Sequence, residues 1–187
     1  MTARTAALVC VACLFLGSSA ARGQGITPPS AYQRAASNAG IPASVLFAVA
    51  LQESGMIIRG RLIPWPWTLN TDGVSRRFSR RAEACTALRH ALTQHRNIDV
   101  GLGQISVRYH GHRVREPCEL LDPYRNLAIA AAILDEHHTP GDDWLIAIGH
   151  YHRPAGGEPA ARYRRSVQQH LAGLSEEKVT NSPDTNQ

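Results

Sequence analysis

Ile41-Pro42-Ala43-Ser44-Val45-Leu46-Phe47-Ala48-Val49-Ala50-Leu51-Gln52-Glu53, closed at once by Ser54-Gly55, is the stretch on which the reading of this chain turns. Pro42 suits the first turn of a helix, where its missing N–H costs nothing. Residues three and four apart are neighbours on a helix, so Glu53 shares a stripe with Leu46, Val49 and Ala50. A carboxylate on a core-facing stripe is disfavoured in its charged form, which raises its pKa. A carboxyl group that keeps its proton near neutral pH can serve as a general acid. Position alone leaves a second reading open, a helix-terminal Glu turned to solvent.

Working outward, Ser30 to Ala39 reads as a first helix stopped by Gly40, after a polar, Pro-containing lead-in over 24–29. From Arg61 to Phe78 the character changes to Leu-Ile-Pro-Trp-Pro-Trp-Thr-Leu-Asn, and Asp72-Gly73 is a hairpin-turn signal. Ser79 is placed to cap a helix running to about His95, with Cys85, Leu88 and Leu92 inward. Asn97 to Gly103 is Gly-rich and leads into Gln104-Ile105-Ser106-Val107. Asp122-Pro123 opens a helix with Leu127, Ala130, Ala131 and Leu134 on one face. Trp144 to Tyr151 and Pro159 to Leu171 supply two more, and 175–187 reads as a polar, disordered tail. The expectation is a mainly α fold: one helical domain over 24–174, with a small β-hairpin or ordered loop inserted around 61–78.

The chain has 187 residues, enough for one domain with short appendages. Residues 1–23 read as a secretory signal: Arg4, then the apolar stretch Ala6 to Leu16, then the small residues Ser18-Ser19-Ala20-Ala21. Eleven apolar residues are too few to span a bilayer, so the expected mature protein is exported, soluble and without a transmembrane anchor. Cleavage after Ala20 removes Arg4 and no acid, taking the formal charge from +5 to +4. That mild basicity fits membrane surfaces, nucleic acid or wall polymers without choosing among them. Cys10 and Cys13 leave with the signal, and Cys13 lacks a convincing lipobox. Cys85 and Cys118 remain, and in an oxidising compartment they admit one intramolecular disulfide.

Four short segments carry chemistry: Gln52-Glu53-Ser54-Gly55, Asp99-Val100-Gly101-Leu102-Gly103-Gln104-Ile105, Asp122-Pro123-Tyr124-Arg125-Asn126-Leu127 and Ala147-Ile148-Gly149-His150-Tyr151-His152. In this order they resemble the soluble lytic transglycosylases, whose fold is lysozyme-like and whose motifs match from residue 30 to about 170. The family's Met is Gly103 here, and the Asn that commonly follows its Tyr is His152. The longer interval between Glu53 and Gln104, with Trp65-Pro66-Trp67 inside it, looks closer to the members that serve conjugation and type IV secretion machines.

The resemblance implies a periplasmic enzyme that needs no cofactor and cleaves peptidoglycan between N-acetylmuramic acid and N-acetylglucosamine. Glu53 would protonate the glycosidic oxygen, then take the proton of the muramyl C6 hydroxyl as a 1,6-anhydro ring closes. Ser54 would orient groups near the sugar, and Gln104, in the segment ending at Ile105, would hydrogen-bond it. Asn126 would brace or line the site, and Tyr151 would hold the Glu53 carboxyl through its hydroxyl. Lysozyme-type hydrolysis usually needs two carboxylates. Asp99 and Asp122 both read as helix caps, which leaves Glu53 as the lone acid. Intramolecular attack suits that shortage. Envelope-spanning secretion or conjugation proteins are the implied partners. A hydrolytic muramidase on the same fold and a non-catalytic peptidoglycan-binding scaffold are the rival readings.

Other signals carry less. His110-Gly111-His112, His137-His138 and His150-Tyr151-His152 lack the spacing of metal ligands, so no metal is expected. Arg76-Arg77, Arg80-Arg81 and Arg162 with Arg164-Arg165 read as solvated faces, and no nucleic-acid partner is expected. No phosphate-binding Gly loop and no Gly-x-Ser-x-Gly segment occurs. Trp65 and Trp67 fit either sugar stacking or plugging of the hairpin against the core.

Overall fold

The computed structural model describes residues 26–174; the leader read over 1–23 and the tail over 175–187 lie outside them. The described chain is mainly helical, with two small antiparallel sheets. Helix α1 (Ser30–Ala39) ends on Gly40, whose left-handed backbone (φ 71°) lets the chain turn straight into the next element. Pro42 stands at the N-cap of α2 (Ala43–Ser54), one residue before the first turn in which it was expected. The expected single apolar stripe understates this helix, because nine of its twelve residues are buried. It is apolar all round and runs through the core, packed against other elements on every side.

The β insertion is larger than the sequence predicts. It begins at Gly55, and it holds two hairpins instead of one. Strands β1 (Gly55–Ile58) and β2 (Arg61–Pro64) pair through an Arg59-Gly60 turn. Strands β3 (Thr68–Thr71) and β4 (Val74–Arg77) pair through Asp72-Gly73, both with positive φ, as a two-residue hairpin turn requires. The first hairpin escaped notice because Arg-Gly is a poor turn signal beside Asp-Gly. The segment read as a Gly-rich loop also joins the sheet. Strands β5 (Ile98–Val100) and β6 (Ile105–Ser106) complete a four-stranded order β4-β3-β5-β6.

Helix α3 (Arg81–Leu92) starts after Arg80 with no side-chain cap, so Ser79 does not cap it. The short α4 (Val107–His110) follows β6, and two 3-10 turns, Gly111–Arg113 and Pro117–Leu121, lead to α5 (Pro123–Glu136). Asp122 caps α5 by accepting from the Arg125 N–H. Asp143 does the same for α6 (Trp144–His152), and α7 (Gly157–Ala172) closes the bundle against α2 and α6. Cys85 on α3 and Cys118 in the second 3-10 turn form a disulfide with a Cα–Cα distance of 5.3 Å. It ties α3 to the turn that feeds α5.

Trp67 packs against the core, and Trp65 meets it edge-on, with ring centroids 5.9 Å apart, while its indole N–H donates to the Phe78 carbonyl. Among the described residues, no single helix is long and apolar enough to cross a membrane.

Candidate active site

The last turn of α2 sets two side chains in opposite surroundings. Ser54 is fully buried, and its hydroxyl lies 2.8 Å from the Leu102 carbonyl and 3.1 Å from that of Ala50. With one proton to give, it clasps the end of α2 to the Gly101–Gly103 turn. It is thus a structural brace, without the open position that orienting a sugar requires. Glu53, one residue earlier, keeps a partly open surface. Its Oε1 accepts a 2.6 Å hydrogen bond from the Tyr163 hydroxyl on α7.

Burial pushes the Glu53 carboxyl up to about 7; the Tyr163 hydrogen bond pulls it partly back, and the nearby Asp99 charge raises it again. Desolvation therefore dominates, and the site holds a carboxyl group whose acid and carboxylate forms are about equally populated at neutral pH. Tyr163 and Tyr151 are both pushed well up by burial and by the Glu53 charge, so both remain donors.

Tyr151 does not hold Glu53. Its hydroxyl donates to the Gly103 carbonyl at 2.6 Å, and the Tyr163 hydroxyl takes the expected role. Little in the local pattern marks Tyr163, since a tyrosine on the inner face of a terminal helix reads as core. Its ring is stacked under that of His152, parallel within 3° at 4.5 Å. We expect Tyr163→Phe to move the Glu53 midpoint to higher pH, because it removes the interaction that favours the ionised form. The alkaline limb of the activity profile should move up with it, and an unmoved limb would contradict this assignment.

The turn from Gly101 to Ile105 is fixed by close approach. Gly101 has φ 83°, and a Cβ there would lie 2.3 Å from the Asn126 side chain. Gly103 has no room either, since a Cβ would lie 2.8 Å from both the Tyr151 hydroxyl and the Ala130 methyl. The departure from the resembled motif at Gly103 thus lets Tyr151 come down onto the backbone. Asn126, fully buried on α5, donates to the Val100 and Leu120 carbonyls (2.8 and 2.9 Å) and accepts from the Gly103 N–H (2.8 Å). Every arm of the amide but one lone pair is used on backbone, tying the turn to the 3-10 segment at Leu120, which makes Asn126 a brace. Gln104 sits in the left-handed region (φ 46°), an unfavourable place for a non-glycine residue. Its side-chain amide offsets that cost by donating to the Gly101 and Thr68 carbonyls, and the residue stays partly exposed. Ile105 is buried in the core and does not reach the open face.

Asp99 is the residue that sequence reasoning misplaced. It caps no helix. It lies mid-strand in β5, between the buried Ile98 and Val100, so its side chain points to the opposite, partly open face. The register places Ser75, Asn70, Asp99 and Ser106 side by side across the four strands, a polar row on that face. Burial raises the Asp99 carboxyl, and a hydrogen bond from Ser106 lowers it. A carboxyl in a Gly-flanked segment looks like a cap when the strand goes unrecognised; the Asp99–Asn70 pairing is the signal that only the fold supplies.

A surface pocket lined by Arg81, Arg115, Glu119, Asp122 and Arg125 lies elsewhere, around the start of α5, and contains none of the expected site residues. Among the described residues no three of His, Cys, Asp and Glu converge as metal ligands. His138 stacks on Trp144 at 3.7 Å, as His152 does on Tyr163.

No protein-family model matches the chain, and comparison with curated proteins and with solved structures gives no match either. The functional reading rests on the residues and their geometry.

Proposed function

We propose that this chain is a lytic transglycosylase that cleaves the β-1,4 bond between N-acetylmuramic acid and N-acetylglucosamine in peptidoglycan. One observation carries the reading: a partly open carboxylic acid at the end of a buried helix, with its pKa raised to about 7 and its orientation fixed by Tyr163. Glu53 gives its proton to the glycosidic oxygen as the C1–O bond breaks, and the N-acetylglucosamine end leaves as an alcohol. The Glu53 carboxylate then takes the C6 hydroxyl proton while that oxygen bonds to C1. The acid is regenerated, and the product ends in 1,6-anhydro-N-acetylmuramic acid, one water lighter than a hydrolysis product. Asp99 adds negative charge where the anomeric carbon becomes positive. The polar row Ser75, Asn70, Asp99 and Ser106 offers donors and acceptors to a glycan laid across the sheet.

A buried helix ending at the acid, a β excursion after it, and helices that return behind it support a lysozyme-like fold. The leader reading supports a periplasmic setting, and the Trp65-Pro66-Trp67 insertion supports service to a conjugation or secretion machine.

Asp99 favours a second reading, a hydrolytic muramidase, because a second carboxylate near enough for its charge to act on Glu53 is what hydrolysis uses. Mass spectrometry of fragments released from purified peptidoglycan separates the two. Anhydro-muramyl ends are expected; reducing ends would establish hydrolysis, and no release would leave a binding scaffold. Asp99→Asn should lower activity by about ten- to a hundredfold, the scale of a lost charge-stabilising group. It should also move the alkaline limb to lower pH, because the Asp99 charge helps hold the Glu53 proton. A variant of unchanged rate and profile would remove Asp99 from the mechanism.

A further inference from the structure

The hairpin of β1 and β2 is built unlike the rest of the molecule. Among the described residues its two strands form a ladder only with each other, and the outer edge of β1 is met by a side chain only at its base, at Gly55. Ile57 is 74% exposed, and its cross-strand partner Leu62 and the next residue, Ile63, are 40% and 39% exposed. Met56 and Ile58 are partly exposed as well. Apolar side chains thus emerge on both faces of a ribbon that, by itself, is marginally stable in water. The tip is Arg59-Gly60-Arg61, with both arginines exposed.

Charge settles what this ribbon fits. From Ser54 to Thr71 the chain has no acidic residue, and the exposed β4 beyond it adds Arg76 and Arg77. Arg77 donates to the Gly55 carbonyl at 2.8 Å, which joins the two hairpins at their base. Among the described residues, no salt bridge uses Arg59, Arg61, Arg76 or Arg77.

We propose that the β1–β2 hairpin docks on an anionic lipid bilayer, with Ile57, Leu62 and Ile63 entering the headgroup boundary and Arg59 and Arg61 meeting lipid phosphates. Apolar insertion combined with arginine–phosphate attraction is what holds peripheral proteins at such surfaces. The hairpin leaves the body directly after Glu53 and Ser54, and four extended residues carry its tip about 13 Å away. Docking at the tip therefore holds the candidate site at a set height above the membrane. This surface is independent of the reaction at Glu53, and its test does not involve catalysis.

Co-sedimentation of the purified full chain with vesicles is the test, comparing phosphatidylcholine alone with phosphatidylcholine containing phosphatidylglycerol. Two variants isolate the hairpin against an otherwise identical chain. Ile57→Thr keeps a strand-forming residue, and the double change Arg59→Asn with Arg61→Gln keeps a residue that tolerates the positive φ of Arg59. Matched thermal melts check that both remain folded. The arginine double change should lower partition onto the anionic vesicles about thirtyfold, about fivefold for each lipid-facing arginine, and Ile57→Thr should lower it about fivefold through lost apolar burial. Equal binding by wild type and variants would overturn the proposal. So would a hairpin effect seen only on self-association or on capture of a protein, since the ribbon would then be a protein-docking edge.

Discussion

Glu53→Gln should reduce glycan release by about a thousandfold or more, the scale of losing a positioned general acid that also serves as the base. The amide keeps the shape and still accepts from Tyr163, so the loss is chemical and the fold is retained. Stability should move the other way, and the sign follows from the proton balance. The folded carboxyl keeps its proton up to about 7, whereas an ordinary one loses it near 4.5. Between those values the folded state binds more protons than the unfolded state, so stability falls as pH rises. The loss reaches at most about 3 kcal/mol above neutrality. The neutral Gln escapes it, so the variant should melt higher than wild type at pH 8 and gain nothing at pH 4. Matched melts at the two pH values check this, and equal melting at both would mean that Glu53 is not buried as described. The same logic gives wild-type activity a limb that falls as pH rises through about 7.

Loss of the Cys85–Cys118 disulfide is the largest structural effect expected. The bridge closes a loop with a sequence separation of 33 residues. Loop-closure entropy makes that worth about 3–4 kcal/mol, or on the order of 10 °C in melting temperature for a domain of this size. Replacing both cysteines by serine should therefore lower the midpoint of denaturant unfolding and leave the chemistry of Glu53 intact. The link matters beyond its energy, because it anchors the turn preceding α5, and α5 carries Asn126. An unchanged midpoint in the double variant would contradict the assignment.

The helices were legible because they rest on local signals. Gly40, Pro42, Asp122-Pro123 and the Leu127–Leu134 periodicity each encode their own boundary within a few residues. The Asp72-Gly73 hairpin was legible for the same reason. Strands β1, β5 and β6 were not, because two to four residues beside glycines have no period, and β5 joins the sheet through β3, a partner about thirty positions away. That failure carried into the site. Glu53 could be picked out from its own helix, but the roles of its neighbours depend on contacts between distant segments. Asn126 braces, one of the two roles expected of it, but Ser54 turned out to be a clasp and Ile105 core. Tyr163 took the place expected of Tyr151, and Asp99 moved from a cap to the open face of the sheet. Recognising that strand sets a second carboxyl near Glu53, which the reading of Asp99 as a cap had left out.

The proposed chemistry requires the fold to hold the Glu53 carboxyl protonated well above the ordinary carboxylate range. Carbon-13 NMR of selectively labelled glutamate, with the Glu53 carboxyl signal assigned by its disappearance in Glu53→Gln, measures this directly. The expected titration midpoint is about 7 in the wild-type protein, moving up in Tyr163→Phe and down in Asp99→Asn. A midpoint near 4.5, unmoved by either variant, would contradict it.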